Sequence, residues 1–135
     1  LKSGEVDKST DESSLGLKGN LMYGYFDPSK GTVTTGVLKK FSRLSLSSNE
    51  VQHFNLNSED SFNSFRKINA TSKYIILLDD SKARICVTDM DFNLLTIEPF
   101  SKKENGLKPY FTNVLSDTSF YVKDNHNNLH FYEIQ

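Results

Sequence analysis

Asp124, His126 and His130 lie within seven residues of one another, and side chains of these types can hold a zinc ion. Zinc requires three or four such ligands converging tetrahedrally. The stretch Asp124-Asn125-His126-Asn127-Asn128 reads as a turn, which puts His126 at its tip and His130 on the following strand. The expectation is two surface histidines rather than a metal centre. Asp79-Asp80 and Asp89-x-Asp91 flank one hairpin, and an Asp-x-Asp pair can hold a metal–phosphate group. The central Gly and terminal Glu of a calcium loop are missing. Asp is also a preferred turn opener, because its carboxylate accepts from nearby backbone N–H groups, and that role is expected here. Lys39-Lys40-x-x-Arg43 and Arg66-Lys67 can meet phosphates, but both runs are short and read as a solvated strand face. Cys86 alternates with Ile85 and Val87 and has no His near it in sequence, so it reads as a small semi-buried hydrophobe. Asn69-Ala70-Thr71 fits the glycosylation pattern without any secretory sign beside it. There is no Gly-rich phosphate loop, no Gly-x-Ser-x-Gly and no pair of cysteines. The expectation is no catalytic residue, no cofactor, no metal and no enzymatic activity.

The elements that position these side chains come from a chain of 135 residues, the length of one ordinary domain. Apolar residues make up 36%, which permits a core but not a large one. The aromatic side chains are Phe and Tyr with no Trp, a supply suited to strands. Sixteen basic residues face seventeen acidic ones, so the net charge of −1 supplies no long-range attraction for nucleic acid or an anionic membrane. The one cysteine excludes an internal disulfide and fits a reducing compartment. No apolar run approaches the ~20 residues that span a bilayer. The start, Leu1-Lys2-Ser3-Gly4, has neither an initiator Met nor a signal-peptide core, and the chain is read as a piece of a longer polypeptide.

Residues 1–14 are charged and Ser-rich and read as a disordered linker, with the ordered part at 15–135. From there, short apolar runs alternate with turn residues. Leu21–Phe26, the turn Asp27-Pro28-Ser29-Lys30-Gly31 and Thr32–Leu38 make a hairpin. Phe41–Leu46 and Val51–Leu56 follow, and the second places Phe54 and Leu56 on one face. Tyr74-Ile75-Ile76-Leu77-Leu78 is apolar on both faces and predicts a strand buried on both sides. Strands are further predicted over 83–88, 94–100, 111–115, 120–123 and 129–132. A short helical turn is expected near 60–67, carried by Phe62 and Phe65. About nine strands with turns every ~8–12 residues indicate an all-β fold: a sandwich, a barrel or propeller blades.

An internal repeat favours blades. Residues 73–88 and 119–134 each hold an apolar strand, an Asp at its end, a polar turn and a second alternating strand. The two units start 46 residues apart, near the ~40–50 period of propeller blades.

Over about residues 73–135, this pattern resembles one β-propeller family. Its members include the large subunit of the UV-damaged-DNA-binding complex, the largest subunit of cleavage and polyadenylation specificity factor, and a divergent fungal cullin adaptor of replication-linked repair. The residues that carry the resemblance are Tyr74-Ile75-Ile76-Leu77-Leu78-Asp79 with Ser81-Lys82, then Val122-Lys123-Asp124 with Asn128-Leu129. Leu78 stands where the family has Gly, and the order at Ser81-Lys82 is inverted. The resemblance implies consecutive four-stranded antiparallel blades of a larger, WD40-like propeller. It also implies a nuclear protein–protein interaction scaffold, with the cytoplasm as a second location. The scaffold would be a cullin-type ubiquitin ligase adaptor in DNA repair and replication, or one for pre-mRNA 3′-end processing. Its partners would be a cullin or other complex subunits, with nucleic acid met only indirectly and no membrane. Gly36-Val37-Leu38-Lys39-Lys40 is also similar to the first strand of a lipid-binding PH domain, which gives a small independent β-barrel binding lipid or peptide as the alternative.

Overall fold

A computed structural model of the chain describes residues 23–37, 39–58, 62, 65, 67–100 and 106–135. The linker expected over 1–14 lies outside them, as do Leu21, Met22, Leu38 and Arg66. The fold is all-β, with eleven strands and no helix among the described residues. The strands are β1 (Tyr23–Asp27), β2 (Thr32–Val37), β3 (Lys40–Ser45), β4 (Val51–Asn55), β5 (Lys67–Ala70), β6 (Tyr74–Asp79), β7 (Arg84–Asp89), β8 (Leu94–Pro99), β9 (Pro109–Val114), β10 (Ser119–Asp124) and β11 (Leu129–Glu133). The helical turn expected near 60–67 falls largely outside the described residues. Phe62 and Phe65 are described there as buried side chains, and Lys67 opens β5, a strand the sequence reading did not contain.

Each sheet is a meander of consecutive antiparallel strands. The first holds β1 to β4, the second β5 to β8 and the third β9 to β11. The first strands of the three sheets lie side by side, β1 against β5 and β5 against β9. This is the radial order of propeller blades, whose first strands line the axis. The three described sheets form an open arc and do not close into a ring. Just past β4, a parallel bridge pairs Asn57 with Asn93 before β8, and the Asn57 N–H donates to the Phe92 carbonyl at 3.2 Å, tying the first sheet to the second.

Two cores separate the sheets. Between the first and second, Phe41 and Leu56 meet Ile68, Ile75, Leu77, Cys86 and Phe92. The rings of Phe41 and Phe92 stack at 4.1 Å. Between the second and third, Ile76, Leu78, Ile85 and Val87 meet Phe100, Phe120 and Val122. Alternation along β6 sends Ile75 and Leu77 one way and Ile76 and Leu78 the other. All four are fully buried, as the two-faced apolar run predicts. Burying each such side chain contributes about 1.5–3 kcal/mol, so this one strand fastens both neighbours.

The turns share one device. Asp27, Asp79, Asp89 and Asp124 each open a turn and accept from its backbone N–H groups. Three or four residues later, each turn has a residue with positive φ: Gly31, Ala83, Phe92 and Asn127. Gly31 adopts this conformation without cost, whereas Phe92 adopts it while swinging its ring into the core.

Candidate interaction surfaces

The sequence singled out three candidate ligands, Asp124, His126 and His130, and the structure brings the side chains of Asp124 and His130 together. Asp124 ends β10 and is buried. Its Oδ1 accepts from the backbone N–H of His126 at 2.7 Å and of Asn128 at 3.0 Å. Its Oδ2 accepts from Nε2 of His130 at 2.9 Å. The His130 ring packs edge-on against Phe100, with ring centres 4.7 Å apart. Burial alone would raise the Asp124 pKa, but the bonds from His130, Asn128 and His126 outweigh it and hold the carboxyl at about 2. His126 meets Asp124 through its backbone. His130 is therefore half-buried rather than the surface side chain expected, because its ring closes the turn onto the core. No group of three metal-ligating side chains occurs among the described residues.

Asp79 occupies the matching place at the end of β6. It is fully buried, and its Oδ2 accepts from Arg84 Nη2 at 2.6 Å and Nε at 3.1 Å. Its Oδ1 accepts from the Ser81 hydroxyl and the Lys82 N–H. Asp89 accepts from the N–H groups of Asp91 and Asn93 and from Asn93 Nδ2. Asp79 and Asp89 act as turn caps, as expected of Asp at these positions.

The basic residues of β3 and the turn before it diverge. Lys39 Nζ donates to the Ser58 carbonyl at 2.7 Å and lies near the Phe62 ring. Arg43 donates to the Met90 carbonyl at 2.7 Å and stacks over Phe54 at 4.7 Å, tying the first sheet to a turn of the second. Lys40 is exposed. The segment 36–40 ends β2, turns and begins β3, so it is not the single strand of the PH-like comparison. Cys86 is fully buried in the first core, deeper than the semi-buried place expected for it. Asn69 donates from Nδ2 to the Thr112 carbonyl at 3.3 Å, using its amide to join β5 to β9.

Sequence reasoning missed a site formed by the C-terminal ends of the three first strands. Tyr25 to Ser29, Asn69 to Ser72 and Val114 to Asp117 line a cavity of about 380 Å³ at the mouth of the arc. Ser72 donates to Asp117 at 2.6 Å across the gap between the second and third sheets. Asp27 is kept below the usual carboxylate pKa, chiefly by the Ser29 hydroxyl. Phe26 and Leu115 lie bare beside these polar groups, 53% and 56% exposed. Large apolar side chains within a polar rim are the composition of a protein-binding surface. The signal in sequence was weak, because the lining comes from three separate segments. No family model matches the chain, and no curated protein matches it.

Proposed function

We propose that this chain is part of a non-enzymatic propeller scaffold that holds protein partners in a nuclear complex, as a cullin-type ubiquitin ligase adaptor in DNA repair and replication. The observation that carries this reading is the blade order itself: consecutive meanders whose first strands lie side by side. The residues of the family resemblance support it. Tyr74–Asp79 forms the second strand of the second sheet, and Val122-Lys123-Asp124 ends the second strand of the third. Each run ends in a buried Asp that accepts from its own turn. The mouth with Phe26, Leu115, Asp27 and Asp117 is the surface on which a partner would bury apolar area inside a hydrogen-bonding rim.

The test is purification of the natural full-length polypeptide with its partners, followed by mass spectrometry. Recovery of a cullin supports the adaptor reading. Recovery of polyadenylation factors transfers the scaffold to pre-mRNA 3′-end processing. Recovery of neither set overturns both.

A further inference from the structure

Four turns open with an aspartate, and in three of them both carboxylate oxygens are engaged. Oδ2 of Asp79 is met by Arg84, that of Asp89 by Asn93 and that of Asp124 by His130. Asp27 differs. Its Oδ1 accepts from the Ser29 hydroxyl at 2.7 Å and from the N–H groups of Ser29 and Lys30 at 3.0 and 3.2 Å. Its Oδ2 accepts from none of the described residues. Asp117 repeats the arrangement. Its Oδ1 accepts from the Ser72 hydroxyl at 2.6 Å, and its Oδ2 from none of the described residues. Both aspartates line the one cavity at the mouth of the arc, and its lining contains no Lys, Arg or His. Lys30 and Lys73 sit on the connecting turns, outside that lining. The mouth thus gathers two negative charges in a chain whose net charge is −1. Phe26 and Leu115 stand bare in the same lining.

We infer that the mouth takes an arginine side chain of a partner protein, flanked in that partner by a large apolar residue. This rests on the reading of the mouth as a partner-binding surface. A guanidinium has five N–H donors and no acceptor, so it matches a cavity whose open positions are carboxylate oxygens. Charge-assisted bonds of this kind are about twice as strong as neutral ones. The guanidinium plane is weakly hydrated and stacks on aromatic rings, a role open to Phe26. The apolar neighbour of the arginine then covers Leu115, which a lone cation would leave bare. A metal ion fits the mouth less well. It would need further ligating side chains, and no group of three occurs among the described residues. Nucleic acid is disfavoured by the two carboxylates, which repel its phosphates.

The experiment uses the natural full-length polypeptide, purified without partners. The probe is a dye-labelled peptide pool, Gly-Ser-x-Arg-x-Ser-Gly, in which x is Leu, Ile, Met or Phe. Matched pools carry Lys, citrulline or Glu in place of Arg, and citrulline keeps the shape without the charge. Binding is read by fluorescence anisotropy. The Arg pool is expected to bind, the Lys pool more weakly, and the citrulline and Glu pools not at all. Asp27→Asn and Asp117→Asn are each expected to weaken binding of the Arg pool by about tenfold or more. Each variant keeps an Oδ1 acceptor for its present donors, and thermal melting checks the fold. If one of them melts early, the other carries the reading, and the comparison of pools needs no variant. Asp91→Asn removes an equal charge from an exposed turn elsewhere and is expected to leave binding unchanged. Failure of the Arg pool to bind overturns the inference. Equal binding of the Lys or citrulline pool also overturns it, as does an equal loss in Asp91→Asn. Peptide binding is read without partners, so it stands or falls separately from which complex is recovered.

Discussion

Asp124 holds in the third sheet the position that Asp79 holds in the second: each ends the second strand of its meander, fully buried, facing the preceding sheet. They differ in the cation or ring that meets them. Asp79 has the guanidinium of Arg84, and Asp124 has the imidazole of His130. One backbone device is thus stabilised by two different side-chain chemistries.

For Asp124 the consequence is a dependence on acid. Its pKa falls from 3.8 in the unfolded chain to about 2 in the folded one. A depressed carboxylate contributes stability that is complete above the unfolded value and is lost as pH falls through the folded one. The shift corresponds to about 2 kcal/mol. Chemical denaturation at a series of pH values is expected to show wild type above Asp124→Asn near neutrality, with the gap closing between about pH 4 and 2. Parallel curves over that range would show that the carboxylate is not stabilised in this way.

For Asp79 the consequence is a penalty on removing its partner. Arg84→Met leaves a buried carboxylate that still accepts from the Ser81 hydroxyl and the Lys82 N–H but has lost its cation. The cost is expected to be about 3 kcal/mol. Adding Asp79→Asn removes the charge and should restore part of that loss. A double mutant as unstable as the sum of the two singles would deny the coupling.

Gly36 lies opposite Phe41 in the β2–β3 pairing, and a methyl group at Gly36 would come closer to Phe41 Cδ1 than two carbons can approach. That ring is itself stacked on Phe92. Gly36→Ala must therefore displace the centre of the first core, at an expected cost of about 1–3 kcal/mol. Thermal melting would show it, and an unchanged midpoint would mean that the ring can move freely.

Much of the architecture could be read from residue order. Tyr74–Leu78 announced a strand buried on both faces, and the Asp-headed turns announced their own capping. β5 escaped notice because Lys67-Ile68-Asn69-Ala70 offers one large apolar side chain between polar ones, too little for a period of two. Its strand character comes from pairing with β6 and from the Asn69 bond to Thr112. The repeat was seen one residue out of register, since aligning Lys73 with Ser119 sets Leu78, not Asp79, against Asp124. Both turns hold four residues, 80–83 and 125–128, so the structural repeat is 45 residues and its units start at Tyr74 and Ser119. Asp124 and His130 were read as separate because strand direction was known and the turn's curl was not. The mouth lined by Phe26 and Leu115 depends on three strand ends meeting, which no local pattern records.

Every sheet here is a run of neighbours in sequence, so its hydrogen-bonded pairs close short loops. Such local pairing favours rapid formation, and a chain emerging gradually can complete one meander before the next appears. The middle meander has no solvent-compatible side, since Ile75 and Leu77 need the first sheet while Ile76 and Leu78 need the third. Assembly then has a direction: the first meander offers a surface, the middle one docks and creates another, and each newcomer briefly exposes the apolar side that its successor hides. The interval between synthesis of one meander and the next is when this protein is most open to aggregation or to a chaperone.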